Sequence, residues 1–155
     1  SKMANSSLSD ALHRLIHAYK RQLRAGIQQQ QIPLPITHIR VLKGICRLPD
    51  ATARSIAQRM NQDKAQITRV LNELMQSGLI EKTENPDDRR SQFLTPTCDG
   101  KEMMSKIDAL EEQAAEHMTR NLSDSELDTF VRIAGTMIEN STSDGTTGKG
   151  ATDNG

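Results

Sequence analysis

The stretch Asp63–Leu94 constrains this chain more than any other part of it. Asp63 suits a helix N-cap, and Gln66 three residues on completes a capping box. Ile67, Val70, Leu71 and Leu74 follow at i, i+3, i+4 and i+7, one apolar stripe of an amphipathic helix. The opposite face carries Ala65, Arg69, Asn72 and Gln76, flanked by Gln66 and Thr68. These side chains include several that can pair with base edges. Gly78 stops the helix. Leu79–Thr83 then reads as a short strand. Asn85-Pro86-Asp87-Asp88 is turn chemistry, with Arg89 and Arg90 at the tip of the implied hairpin and a second strand leading to Leu94.

The remainder of the chain supplies helices. Leu8, Leu12, Leu15, Tyr19, Leu23 and Ile27 recur at spacings of three and four, which predicts a long first helix over residues 8–30. Pro33 and Pro35 interrupt it. Thr37 is expected to cap a second helix striped by Ile39, Leu42, Ile45 and Cys46 and closed by Leu48-Pro49-Asp50. A third, Thr52 to Met60, packs Ile56, Ala57 and Met60. Asn61-Gln62-Asp63 turns directly into the helix described above, and two helices joined by so short a turn form a helix-turn-helix. After the hairpin a fifth helix starts at Thr97 or Asp99, striped by Met103, Ile107, Leu110, Ala114 and Met118. Ser123-Asp124-Ser125-Glu126 is a second capping box, opening a sixth helix with Leu127, Phe130, Val131, Ala134, Met137 and Ile138.

The expected fold is therefore mainly α: a winged helix-turn-helix at about residues 37–95, with N- and C-terminal dimerisation helices at 8–30 and 98–140. Together they make one domain over 8–140, of about six helices and one β-hairpin wing. Residues 1–7 are expected to be a disordered leader or tag remnant. Residues 141–155 collapse to Ser, Thr, Gly, Asp, Asn, Lys and Ala, too polar to offset their ordering entropy, and are expected to be disordered. Only 35% of the chain is apolar and three residues are aromatic. Such a thin helical protein completes its core by pairing with a second copy, which would put two recognition helices on one face.

Net charge is zero, but its distribution is not even. Residues 1–35 carry +4, residues 36–93 carry +3 and residues 94–155 carry −7. Screening confines a field to roughly 8 Å at physiological salt, so phosphates feel the local basic front and not the total. No apolar run is long enough to span a membrane, and no signal peptide is visible, so a cytoplasmic location is expected. Cys46 and Cys98 form no CxxC or zinc spacing. There is no glycine-rich phosphate loop, HExxH, GxSxG or oriented Cys/His pair, so neither enzyme activity nor a cofactor is expected.

At the hairpin the pattern becomes more specific. Asp88-Arg89-Arg90-Ser91-Gln92-Phe93-Leu94-Thr95-Pro96-Thr97-Cys98-Asp99-Gly100 resembles the wing signature of the MarR family: D-x-R, a strand, then L-T-x-x-G at the next helix. Ile67-Thr68-Arg69-Val70-Leu71 and Ser77-Gly78-Leu79-Ile80 resemble that family's recognition helix and first wing strand. Ser55-Ile56-Ala57 resembles the preceding helix and Ile36-Thr37 the start of the second. The resemblance spans about residues 8–140. It implies a homodimeric transcription regulator, often a repressor, bound to pseudo-palindromic double-stranded DNA and released by a small phenolic or lipophilic effector. Pro96 departs from the signature's Leu and should end the second strand early. Ala65-Gln66 stands where a serine is common.

By that resemblance Arg90 is the wing arginine, set in a minor groove, with Asp88 as its brace. Arg89, Lys64 and Arg54 are candidate phosphate contacts. Arg69, Gln66, Thr68 and Asn72 are candidate base or phosphate contacts. A surface ion pair between Arg69 and Glu73 is the rival reading of that arginine. His13, His17 and His38 are candidates for an effector pocket, and no metal is expected because no third and fourth ligands stand beside them. Cys98, near a helix start, is a candidate thiol switch and Cys46 a small core residue. The competing function is a winged helix that binds protein and not DNA.

Overall fold

The structure is a computed structural model and describes residues 2–152, with side chains for residues 7–142. Its elements are α1 (Lys2–Gln29), α2 (Ile36–Arg47), α3 (Ala53–Met60), α4 (Lys64–Gln76), β1 (Ile80–Thr83), β2 (Phe93–Pro96), α5 (Cys98–Met118) and α6 (Asp124–Thr152). The expected fold class, six helices and one antiparallel hairpin, is the one observed. α1 begins at Lys2 and α6 runs to Thr152, so both helices reach into the ends that the sequence reading left unstructured.

Residues 1–115 form one compact unit and residues 116–155 a second. The first unit holds the core: Val41, Leu42, Ile56, Ile67, Val70, Leu74 and Ile107 are all but fully buried. The α4 stripe anticipated from its spacing is buried in full. It packs on α2 and α3, so the opposite face of α4 is left in solvent by construction. The second unit leaves Phe130, Val131, Ile133, Met137 and Ile138 of α6 exposed. Its start is fixed by the anticipated capping box: Ser123 N–H donates to Glu126 Oε1 (2.9 Å) and Glu126 N–H to Ser123 Oγ (3.1 Å). The Ser123 N–H first, and then the Ser123 side chain, hold the Glu126 carboxyl below its ordinary value.

Local chemistry sets the helix-turn-helix. Thr52 caps α3 through a reciprocal box with Ser55. Asn61 turns the chain in the left-handed region (φ 52°), and Asp63 accepts the Gln66 N–H at 2.8 Å to open α4. Gly78 (φ 75°) then ends α4 and aims β1 away. Two expectations are corrected. Thr37 does not cap α2: the N-cap is Pro35, with no side-chain bond, and Thr37 lies inside the first turn. Pro96 does not shorten β2, which pairs Pro96 with Ile80. Leu94 N–H, two residues earlier, donates to Ala51 O (2.7 Å) on the edge away from β1. By the period of a strand, the nitrogen of Pro96 faces that same outer edge, so its missing hydrogen costs the ladder nothing.

One residue ties the wing's base to the next helix. Thr97 N–H donates to Leu79 O (3.0 Å), its hydroxyl donates to Gly78 O (2.6 Å), and the same oxygen accepts the Gly100 N–H (3.0 Å) at the start of α5. Gly100 lies so close to this junction that a Cβ on it would sit 2.0 Å from Leu79 O.

Candidate nucleic-acid interface

Two elements bring basic side chains to one surface. α4 presents its polar face because its stripe is buried, and the hairpin presents its tip because consecutive Asx turns fold it back. Asp87 N–H donates to Asn85 Oδ1 (2.9 Å) and Arg90 N–H to Asp88 Oδ1 (3.0 Å). Asp88 thus holds the backbone of Arg90, which leaves the Arg90 guanidinium free to reach outward. That is a different brace from a carboxylate–guanidinium pair.

Between α3, α4 and the wing runs an open groove of about 540 Å³. Arg54, Lys64, Thr68, Asn72, Asp88, Arg89 and Arg90 all line it. Seven of the nine anticipated contact and brace residues therefore meet in one place. Gln66 and Arg69 do not line it; they are exposed on the flank of α4 that turns toward α2. Thr68 Oγ1 donates its hydrogen to Lys64 O (2.7 Å), so what it offers a ligand is an acceptor. The groove also takes in Lys82, Ser91 and Gln92, which the sequence did not single out. Lys82 was within reach: in a two-residue period it shares a face of β1 with Ile80, opposite Leu94.

The three histidines are not brought together. His13 and His17 are exposed on α1, His13 bonded to Ser9 O (2.8 Å). His38 is buried and donates from Nε2 to Glu73 Oε2 at 2.5 Å. A second cleft lies elsewhere, about 530 Å³ between α1, α2, α3 and α5. Ile16, Leu23, Ile27, Ile39, Met60, Ile107 and Leu110 form its apolar walls, and Tyr19, Lys20, Arg40, Lys43, Arg59 and Glu111 its polar points. Lys43 is ion-paired to Glu111 there. Burial and then the Glu111 carboxylate push the Tyr19 hydroxyl above its ordinary value.

The Arg69–Glu73 ion pair is present but long, at 3.9 Å. Cys46 is half-buried on α2. Burial first and Asp108 second push its thiol up, which disfavours the reactive thiolate. Cys98 is exposed. Among the described residues no group of three or more His, Cys, Asp or Glu could hold a metal ion, and no helix is long and apolar enough to cross a membrane.

A buried three-helix core, a hairpin with an arginine-bearing tip and an exposed polar recognition helix define a winged helix-turn-helix protein. The MarR family model matches residues 32–91, the segment that holds the helix-turn-helix and the wing tip. The chain is 30% identical over 83 residues to the HTH-type transcriptional regulator BilQ of Clostridioides difficile, covering 54% of this chain and 56% of that protein. It thus spans little more than half of BilQ. It is 26% identical over 129 residues to YwhA of Bacillus subtilis, an uncharacterised HTH-type transcriptional regulator, covering 81% and 93% of the two chains. A mutant of E. coli MarR complexed with operator DNA has the same fold, with a TM-score of 0.65 at 22% identity over 82% of this chain and 93% of that one. Over residues 32–91 the chain is thus similar to the MarR family, and its fold is that of a MarR protein.

Proposed function

We propose that the protein is a homodimeric transcriptional regulator that binds a pseudo-palindromic operator in double-stranded DNA, represses from it in the cytoplasm, and is released by a small phenolic or lipophilic effector. The observation that carries this reading is the exposed groove shared by α4 and the wing. Arg54, Lys64, Arg89 and Arg90 converge there, with Asn72 and Thr68 between them. The cations grip phosphates, Asn72 and Arg69 read base edges in the major groove, and Arg90 enters the flanking minor groove.

Dimerisation is supported by two apolar stripes left in solvent. Leu8, Leu12, Leu15, Ile16 and Tyr19 of α1, and Phe130, Val131, Met137 and Ile138 of α6, are 39–67% exposed in the single chain. A two-fold pair would set two recognition helices about 34 Å apart, in successive grooves. The effector is placed in the cleft between α1, α2, α3 and α5, whose apolar walls and basic points suit an amphipathic anion. Binding there would alter the helix spacing and so the fit to DNA.

The test is salt. Affinity for a duplex should fall steeply between about 50 and 200 mM salt as counterions are released. An affinity that is flat across that range would favour the protein-binding module instead.

A further inference from the structure

Glu73 is a carboxylate on α4, the helix proposed above to read DNA. It follows Arg69 by one turn, about 40° further round α4, on the flank away from the groove. A negative charge so placed repels phosphate and competes for the guanidinium of Arg69. Arg69 and Glu73 stand at i and i+4 with the cation first, the weaker order for such a pair. The pair is correspondingly loose, 3.9 Å from Arg69 Nη1 to Glu73 Oε1.

The other carboxylate oxygen is held firmly. Glu73 Oε2 accepts the Nε2–H of His38 at 2.5 Å. His38 projects from the first turn of α2 and is 8% exposed. Because a carboxylate can only accept, the ring carries its proton on Nε2. Its Nδ1 is buried and has no partner in the structure, so the link to Glu73 is the polar bond that fixes this imidazole. The bond crosses 35 positions of sequence and joins α2 to the recognition helix. Arg69 itself remains two-thirds exposed.

We propose that His38 is a positioning residue for DNA recognition: it draws the Glu73 carboxylate back against α2 and so leaves Arg69 available to the DNA. This rests on the DNA-binding reading above. A purely structural histidine would act on stability alone. A positioning histidine acts on DNA affinity through Glu73, and its effect vanishes when Glu73 has no charge.

The experiment is a double-mutant cycle. The probes are the duplex that the wild-type protein enriches from a random-sequence library and poly(dI-dC) as the non-specific competitor. His38→Phe should weaken binding roughly tenfold, the scale of one lost arginine contact. Glu73→Gln, which keeps an acceptor but removes the charge, should tighten binding about twofold or more. In the Glu73→Gln background His38→Phe should change affinity by less than about twofold. His38→Gln retains a donor and should keep most of the affinity. Should His38→Phe be too unstable to assay, Glu73→Gln and His38→Gln decide the matter. Weaker binding by Glu73→Gln, or an equal loss from His38→Phe in both backgrounds, overturns the proposal. A wild-type protein that enriches no duplex overturns the DNA-binding reading, and this inference falls with it.

Discussion

Replacing Gly100 by alanine tests the junction on which the wing stands. A Cβ built there lies 2.0 Å from Leu79 O, 3.1 Å from Leu79 C and 3.4 Å from Pro96 Cβ. The oxygen belongs to the backbone, so no flexible side chain can swing clear. It must move by more than 1 Å to reach an ordinary contact, roughly 3.4 Å or beyond. That oxygen also accepts the Thr97 N–H at 3.0 Å. Overpacking costs about 1–3 kcal/mol, and the lost hydrogen bond adds about 1 kcal/mol. The gain of alanine over glycine in a helix returns about 0.5–1 kcal/mol. Gly100→Ala should therefore lower stability by about 1–3.5 kcal/mol, or roughly 2–14 °C in Tm for a chain of this size. Urea unfolding at one fixed protein concentration reads this as a lower midpoint with an unchanged slope. Gly135→Ala is the control: nothing lies within 4 Å of its Cβ, so it should stabilise by up to about 1 kcal/mol. If Gly100→Ala stayed within about 0.5 kcal/mol of wild type, the close approach would be wrong, and with it the account of why a glycine stands at this point of the signature.

Three further outcomes are expected. Arg90→Ala should cost about 1–3 kcal/mol of DNA binding while the melting curve stays in place; unchanged affinity in an anisotropy titration would remove Arg90 from the interface. Deleting Leu127 to Gly155 should abolish the dimer, seen by sedimentation as monomer or aggregate, and a stable dimer after that truncation would refute the role given to α6. Glu126 titrates below its ordinary value of 4.5 because Ser123 bonds its charged form. A depressed carboxyl contributes stability above its unfolded value and loses it as pH falls through the folded one. Glu126→Gln should thus destabilise at neutral pH, and the gap should close in acid; a gap independent of pH would contradict the capping box.

Local elements were legible because their causes are local. The stripe Ile67, Val70, Leu71, Leu74, the Asp63 cap and the Gly78 stop all act within one turn of the residues that encode them, and α4 follows. The Thr52–Ser55 box was less visible, since serine at the third helical position does there what glutamate or glutamine more often does. Long-range links were not legible. Nothing near Leu94 shows that its N–H will meet Ala51 O, or that Thr97 will hold both Gly78 and Leu79. The misplacement of Pro96 and of His38 has that one origin. The first was judged without knowing which edge of β2 was free, and the second without its partner, 35 residues on.

The candidate site was legible as a set of residues but not as a geometry, and the geometry bears on what those residues can do. Spacing alone puts Gln66, Thr68, Arg69 and Asn72 on one broad polar face. The structure divides them: Lys64, Thr68 and Asn72 join the wing's arginines in a continuous groove, while Gln66 and Arg69 lie on the other flank. On the wing side, Asp88 gives its Oδ1 to the backbone N–H of Arg90. On the far side, Glu73 gives its Oε2 to His38 and makes only a long contact, 3.9 Å, to Arg69. In each case an acid beside an arginine has one oxygen engaged within the protein, which on the proposed function leaves the arginine more available to a phosphate or a base. This is how a chain of zero net charge can still present a cationic surface. The balance is struck over the whole sequence, whereas the field at a DNA backbone is set within about one Debye length, roughly 8 Å.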